Sequence, residues 1–240
     1  MPIPKLIHQV YILSCKKIPT EFSNNIEFLK NNNPGYTHCL YMDDEVESFI
    51  FDNYGKDMLK TYHSINPSYG SARTDLFRYL LLYKVGGIYL DIKSTAKKPF
   101  DDVLYPDDHF VICQWHKPVG RNYSDGGAHP ELSNFFNGEF QTWNIISEPN
   151  SPFLSAVIDQ VLTNIQNYNT SAHGVGARSL LLNLAAVMYT KVVGEMMKHH
   201  PHRLVGDNYQ IGLQFSVCNG FDHRKLMITN YTICTEPLIL

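Results

Sequence analysis

Residues Ser71 to Lys93 read SARTDLFRYLLLYKVGGIYLDIK, and the reading of this stretch decides the fold. Leu76, Phe77, Leu80 and Leu81 recur at helical spacing, so its first half predicts a helix with an apolar face. Gly86-Gly87 then turns the chain, and Ile88-Tyr89-Leu90 is a short apolar strand that delivers Asp91 at its carboxyl end. A helix feeding directly into such a strand predicts an α/β chain, and in open α/β sheets ligands collect at the carboxyl ends of the strands. Asp75 and Arg78 stand three positions apart and share a helix face, with Ser71 and Thr74 beside them. A carboxylate next to a guanidinium offers acceptors and fixed donors together, which a ring of sugar hydroxyls requires. A solvated ion pair on a helix surface has the same spacing, and that reading stays open here.

Taken together, Arg73, Asp75, Arg78, Tyr79, Leu82, Tyr83, Gly86, Gly87, Ile88, Tyr89 and Asp91 spell R-x-D-x-x-R-Y-x-x-L-Y-x-x-G-G-I-Y-x-D. This pattern resembles the DXD-containing sugar-transferase signature of glycosyltransferase family 32. Residues Ile3 to Tyr11, IPKLIHQVY, are similar to the first strand of that family, and the likeness continues weakly through 139–144 and 149–153. The resemblance implies an α/β, GT-A-like single domain over 1–240: a Rossmann-like open sheet, mostly parallel, with helices on both faces. It divides the chain into a nucleotide-sugar-binding half, 1–113, and an acceptor-side half, 114–240. It also implies an enzyme that moves a hexose from a UDP- or GDP-sugar to a hydroxyl of a glycan or glycolipid, with retention of anomeric configuration. On this basis Val10, Tyr11, Ser71, Arg73, Asp75, Arg78, Gly87, Tyr89 and Asp91 contact the donor. Asp75, Arg78, Asp91 and Lys93 carry the chemistry, and Trp115, Asn144 and His173 lie on the acceptor side.

One departure from the family pattern bears on the cofactor. The D-x-D is here Asp91-Ile92-Lys93, so a cation stands where the second acid usually holds a divalent metal against the diphosphate. Mg²⁺ and Mn²⁺ take oxygen ligands, which lysine does not supply. Either Asp91 holds Mn²⁺ or Mg²⁺ with other residues, Asp222 and His223 being the candidates, or no metal is used and the Lys93 ammonium faces the phosphates. A Lys93 that points to solvent past the strand is the third reading.

The 240 residues carry a net charge of -3, with 44% hydrophobic and 18% charged residues. That describes an ordinary globular chain without the basic field of a nucleic-acid binder. The longest apolar run, near Leu180 to Val187, is interrupted by Asn183, so no integral membrane segment is expected. The start Met1-Pro2-Ile3-Pro4-Lys5 lacks a signal-peptide pattern, which leads us to expect a cytoplasmic, bacterial-like or viral-like enzyme. Five cysteines without CxxC spacing argue against a disulfide framework or a zinc site.

Elsewhere, 6–13 predicts a first strand with His8 in the core, and 19–32 a helix capped by Thr20 with Ile26, Phe28 and Leu29 inward. Residues 36–42 predict a second strand, and Asp43-Asp44-Glu45 read as the acidic start of a helix rather than a metal site. Strands are expected at 110–113, 135–137 and 142–146, and helices at 153–167 and 179–191. The loop 114–132 is a candidate acceptor loop, and His199-His200-Pro201-His202 reads as an exposed loop. Two rival functions remain: a degenerate transferase fold that binds glycan or nucleotide sugar without turnover, and a glycoside hydrolase using acids such as Asp125 and Glu139.

Overall fold

Five of the six strands in the main sheet run one way and a single strand runs against them, and that exception brings two chain segments to one spot. The computed structural model describes residues 3–12, 17–115, 129–135, 138–218, 226 and 229–240. In chain order the strands are β1 Leu6–Val10, β2 Thr37–Tyr41, β3 Gly87–Leu90, β4 Thr95–Ala96, β5 Phe110–Cys113, β6 Asn144–Ser147, β7 Arg203–Val205 and β8 Leu213–Gln214. The helices are α1 Thr20–Asn32, α2 Asp43–Ser64, α3 Gly70–Val85, α4 Pro152–Gln166, α5 Thr170–His173, α6 Gly176–Asn183 and α7 Ala186–Met196. The main sheet has the order β2-β1-β3-β6-β5-β7, and β4 pairs with β8 in a small separate ribbon.

Alternation along the strands sorts their side chains to two faces. Tyr89, Phe110, Ile112 and Ile145 pack with Leu76, Phe77 and Leu80 of α3 and with α4, α6 and α7. Ile88, Leu90, Val111, Cys113 and Ile146 pack on the other face against Leu29 of α1, Phe100 and the β4–β8 ribbon. Helices therefore cover both faces of the sheet.

Strand β6 is antiparallel to both β3 and β5, with Leu90 opposite Asn144. Its start thus lies beside the end of β3, and the Asp91 amide donates to the Trp143 carbonyl at 2.8 Å. Because β1, β3 and β5 share a direction, Tyr11, Asp91 and Trp115 all leave the sheet at the same edge.

The Gly86-Gly87 turn is enforced by space as well as by torsion. Gly86 has φ +66° and a Cβ there would stand 2.7 Å from Pro149; Gly87 has φ +107° and a Cβ would stand 2.8 Å from the Leu6 carbonyl oxygen. His8 sits beneath the turn with Nε2 3.0 Å from the Gly86 carbonyl, a core histidine as expected, and burial pushes its pKa down to about 4. Gly87→Ala is therefore expected to cost about 1–3 kcal/mol from the backbone conformation alone, before the clash with a fixed main-chain oxygen is added. Gly206→Ala, with nothing within 4 Å of its added Cβ, serves as the control. Urea denaturation of the two variants checks this, and equal midpoints would mean the turn is not held by that contact.

Several local expectations are corrected. The first strand stops at Val10. Helix α1 begins at Thr20 with Pro19 as the capping residue, whose carbonyl accepts from the Phe22 and Ser23 amides, and Thr20 makes no side-chain cap. Phe28 is 46% exposed, because the inward stripe of α1 runs through Phe22, Asn25, Ile26 and Leu29. The helix expected at 179–191 is two helices broken at Leu184-Ala185. Phe135 lies outside the strands, and 136–137 lie outside the described residues. The acids Asp43 to Glu45 do open α2, where the Glu45 carboxylate accepts the Met42 amide at 3.0 Å.

The tail returns to the start of α3. Leu238 carbonyl accepts from the Asn66 amide at 2.9 Å, Glu236 carbonyl from the Tyr69 hydroxyl at 2.6 Å, and Ile239 bridges Ile65. The same Tyr69 hydroxyl accepts the Gly176 amide at 2.7 Å, so one buried ring ties α3, α6 and the tail together.

Candidate active site

A cavity of about 280 Å³ opens at the carboxyl edge of β1 and β3. Val10, Tyr11 and Ile12 line one end, and the first turns of α3 supply Ser71, Thr74, Asp75 and Arg78. Tyr89, Asp91 and Lys93 rise from β3 and the turn after it. Trp115, Glu139, Thr142, Trp143 and Phe215 form the opposite wall, and residues of the α6–α7 junction with 229–231 close the side.

The floor is a chain of alternating charges. Arg78 lies between two acids, with Nη2 3.3 Å from Asp75 Oδ1 and 3.3 Å from Asp91 Oδ1. Its Nη1 donates to the Thr142 carbonyl, Nε donates to the Thr74 carbonyl at 3.3 Å, and the guanidinium lies over the Tyr89 ring at 4.5 Å. The open alternative of a solvated surface pair is thus settled, since both side chains of the Asp75–Arg78 pair are almost wholly buried.

Asp91 meets three protein donors. Its Oδ1 accepts the Tyr89 hydroxyl at 3.0 Å in addition to facing Arg78, and its Oδ2 is paired with Lys93. Lys93 does not point to solvent. Asp91 to Ser94 form a turn closed by the Ser94 amide on the Asp91 carbonyl, 2.7 Å, which folds the lysine back onto the acid and over the Phe215 ring at 4.4 Å. The turn is held from below by Asn25, whose Nδ2 donates to the Ser94 carbonyl at 2.8 Å, and from the side by the Val217 amide on the Lys93 carbonyl at 2.8 Å.

The two acids take opposite protonation behaviour from these surroundings. Burial pushes the Asp75 carboxyl up to about 7, with Arg78 opposing and the neighbouring Asp91 charge assisting. Burial also disfavours the Asp91 carboxylate, but Lys93 and Arg78 together with two hydrogen bonds outweigh it and hold its pKa below the usual range. Near neutrality the floor therefore holds an ionised Asp91 beside an Asp75 that is near its midpoint.

The remaining expected residues divide. Val10, Tyr11, Ser71, Tyr89 and Trp115 do line the cavity. Arg73 does not: it turns back to the α2–α3 junction, donating to the Ile65 carbonyl at 2.9 Å and stacking on Tyr62. Gly87 is a packing position under Leu6. Asn144 is buried behind the wall with Nδ2 on Gln141 Oε1 at 2.8 Å, and His173 is on the exposed helix α5, hydrogen-bonded to Asn169. Asp222 and His223 lie outside the described residues, as do Asp125 and most of the 114–132 loop. His200 and His202 stand edge-on to Phe153 instead of converging on an ion.

Sequence reading missed Phe215 and the 229–231 segment, which lie in loops with no pattern of their own. It placed Glu139 only in the rival hydrolase. In the fold its carboxylate accepts Trp115 Nε1 at 3.1 Å and pairs with His129 Nε2 at 2.9 Å, so it orients the aromatic wall.

The described floor offers a divalent ion few free oxygen ligands. Such an ion needs several, yet Asp91 is already shared among Tyr89, Arg78 and Lys93, Lys93 occupies the place of a second acid, and among the described residues no three His, Cys, Asp or Glu side chains converge.

Residues 19–111, which contain Asp75, Arg78, Asp91 and Lys93, match the family described as "Glycosyltransferase sugar-binding region containing DXD motif". This stretch is similar to a glycosyltransferase sugar-binding region. The chain is 33% identical over 105 residues to "Inositol phosphoceramide mannosyltransferase 1" of Schizosaccharomyces pombe, covering 42% of this chain and 31% of that one. An uncharacterized glycosyltransferase of Acanthamoeba polyphaga mimivirus is 29% identical over 147 residues, 59% of this chain and 57% of its own. "Initiation-specific alpha-1,6-mannosyltransferase" of Candida albicans is 24% identical over 166 residues, 67% and 43% of the two chains. The chain thus spans between 31% and 57% of the length of these relatives. Among solved structures, "PaToxG Glycosyltransferase" superposes with a TM-score of 0.55 at 18% identity, covering 82% of this chain and 71% of that one. That likeness bears out the expected fold, a GT-A-like α/β sheet with mostly parallel strands. No helix among the described residues is long and apolar enough to cross a membrane.

Proposed function

We propose that this chain transfers a hexosyl group from a nucleotide-diphosphate sugar to a hydroxyl of a glycan or glycolipid, with retention at the anomeric carbon. The observation that carries the proposal is the convergence of Asp75, Arg78, Asp91 and Lys93 on one wall of a cavity inside the sugar-binding region. The base lies toward Val10 and Tyr11, the sugar hydroxyls against Asp75 and Arg78, and the diphosphate toward Lys93. The acceptor enters along Trp115, Glu139 and Trp143. Ser71 supports a polar occupant, since its buried hydroxyl at the cavity wall has no hydrogen-bond partner within the described protein.

Retention by double displacement uses a carboxylate nucleophile about 5 Å from an acid. Asp75 and Asp91, the two acids on the floor, are both tied to Arg78, which favours displacement on one face. In that step the bond from the anomeric carbon to the phosphate oxygen breaks while the acceptor oxygen bonds on the same side. The acceptor's proton passes to the departing phosphate oxygen. The protein contributes position and charge: Arg78 and Lys93 stabilise the negative charge that grows on the leaving diphosphate.

A thermal-shift panel of UDP- and GDP-sugars tests the reading, with a mannosyl nucleotide leading it because two of the relatives are named as mannosyltransferases. A donor at 100 times its dissociation constant stabilises the fold by about 2.7 kcal/mol. We expect one nucleotide series to raise Tm and its sugar to be consumed when a glycan or glycolipid acceptor is added. Binding without turnover would reassign the site to a non-catalytic glycan or nucleotide-sugar module. Absence of any shift would end the nucleotide-sugar reading.

A further inference from the structure

The geometry points to Lys93 as a built-in counter-charge for the donor's diphosphate, so that this site captures a nucleoside diphosphate without a divalent metal. This rests on the nucleotide-sugar reading above and specifies how that site is charged. Three observations support it. Lys93 lies on the cavity wall with its ammonium over the Phe215 ring and against Asp91, so its position is fixed from two sides. Its backbone is fixed too, because Ser94 Oγ donates to the Phe215 carbonyl at 2.7 Å and the Val217 amide donates to the Lys93 carbonyl at 2.8 Å. Finally, Asp91 already meets Tyr89, Arg78 and Lys93, so an entering metal ion would have to share that carboxylate with the Lys93 ammonium beside it.

The charges on the lining bear on the same point. Among the described residues Arg78 and Lys93 are the two cations on the cavity lining, where Asp75, Asp91 and Glu139 are the acids, so removing Lys93 would leave Arg78 alone against them. A diphosphate needs positive charge where it binds, whether a metal ion or fixed side chains supply it. Here a tethered ammonium is in place to supply positive charge, and the Phe215 ring beside it helps to hold it at the cavity.

The test is calorimetric titration of the intact chain with UDP and with GDP, each in EDTA and in Mn²⁺. The wild-type protein is expected to bind one of the two nucleotides in EDTA with a Kd within about threefold of that in Mn²⁺. Lys93→Gln is expected to weaken binding in EDTA about ten- to a hundredfold, the loss of one charged hydrogen bond, without gaining a response to Mn²⁺. Lys93→Asp, which restores a second acid, is expected to lose binding in EDTA and regain it in Mn²⁺. Wild-type binding that disappears in EDTA and returns with Mn²⁺ would overturn the inference while leaving the nucleotide-sugar site standing. Unchanged EDTA binding by Lys93→Gln would overturn it as well. If neither nucleotide binds in either buffer, the broader reading fails with it.

Discussion

Arg78→Met is expected to lower stability by about 3–5 kcal/mol, the usual cost of breaking a buried ion pair by removing one partner. Methionine fills much of the same space, so the loss is electrostatic. Asp75 and Asp91 would face each other with no cation between them, and the Thr142 carbonyl would lose the Nη1 donor it now has. Tyr89 would lose the guanidinium stacked on its ring. Urea denaturation with an unchanged m-value is the measurement, and a loss below about 1 kcal/mol would mean the pair is not the hub of the floor. The deficit should be smaller at pH 5 than at pH 8, because Asp75, already pushed up to about 7 by burial, takes a proton when its cation is gone.

Asp75→Asn is expected to reduce turnover by about 10²–10³-fold while leaving the fold intact. The side chain keeps its shape, and Arg78 keeps Asp91 as a partner, so the expected loss is of a sugar-facing acceptor and its charge. Near-normal turnover would refute the sugar-site assignment. The same variant has a signature in stability against pH. The Asp75 carboxyl has a pKa of about 7 in the fold against an ordinary 3.8, so between those values the folded chain holds a proton that the unfolded chain releases. Its contribution is complete below about 4 and is lost as pH rises through about 7. His8 and His38 act in the opposite sense, since burial pushes each down to about 4 from 6.5 and the unfolded chain takes up their protons first as pH falls. The difference between variants separates the two effects: from pH 5 to pH 8 the wild-type protein should lose stability relative to Asp75→Asn. Parallel curves would show that Asp75 is ionised throughout.

The central helix, the glycine turn and the strand ending at Asp91 were legible because each rests on local pattern: helical spacing, paired glycines and a short apolar run. Asp75 and Arg78 could be placed on one face for the same reason. What sequence could not supply was direction. Nothing local says that 144–147 runs antiparallel into the sheet between β3 and β5, yet that insertion brings Thr142 to Arg78 and Trp143 to Asp91. Arg73 belongs to the same motif as Arg78, but its position on the helix turns it to the Ile65 carbonyl, a contact set by how α2 meets α3. Lys93 was undecided because a residue two past a strand end continues outward or folds back according to what packs on it. Here Asn25, Phe215 and Val217, all remote in sequence, decide.

The segment 236–239 that packs onto Asn66 and Tyr69 follows, in the sequence, every residue that lines the cavity. Asp75 and Arg78 stand on one helix, whereas the Thr142 carbonyl that Arg78 meets lies just before β6. The cavity side formed by 229–231, and the clamp of Glu236, Leu238 and Ile239 on the start of α3, come later still in the sequence. Residues far apart in the sequence therefore share one cavity, and loosening the contacts of Glu236, Leu238 and Ile239 would open the side that 229–231 close.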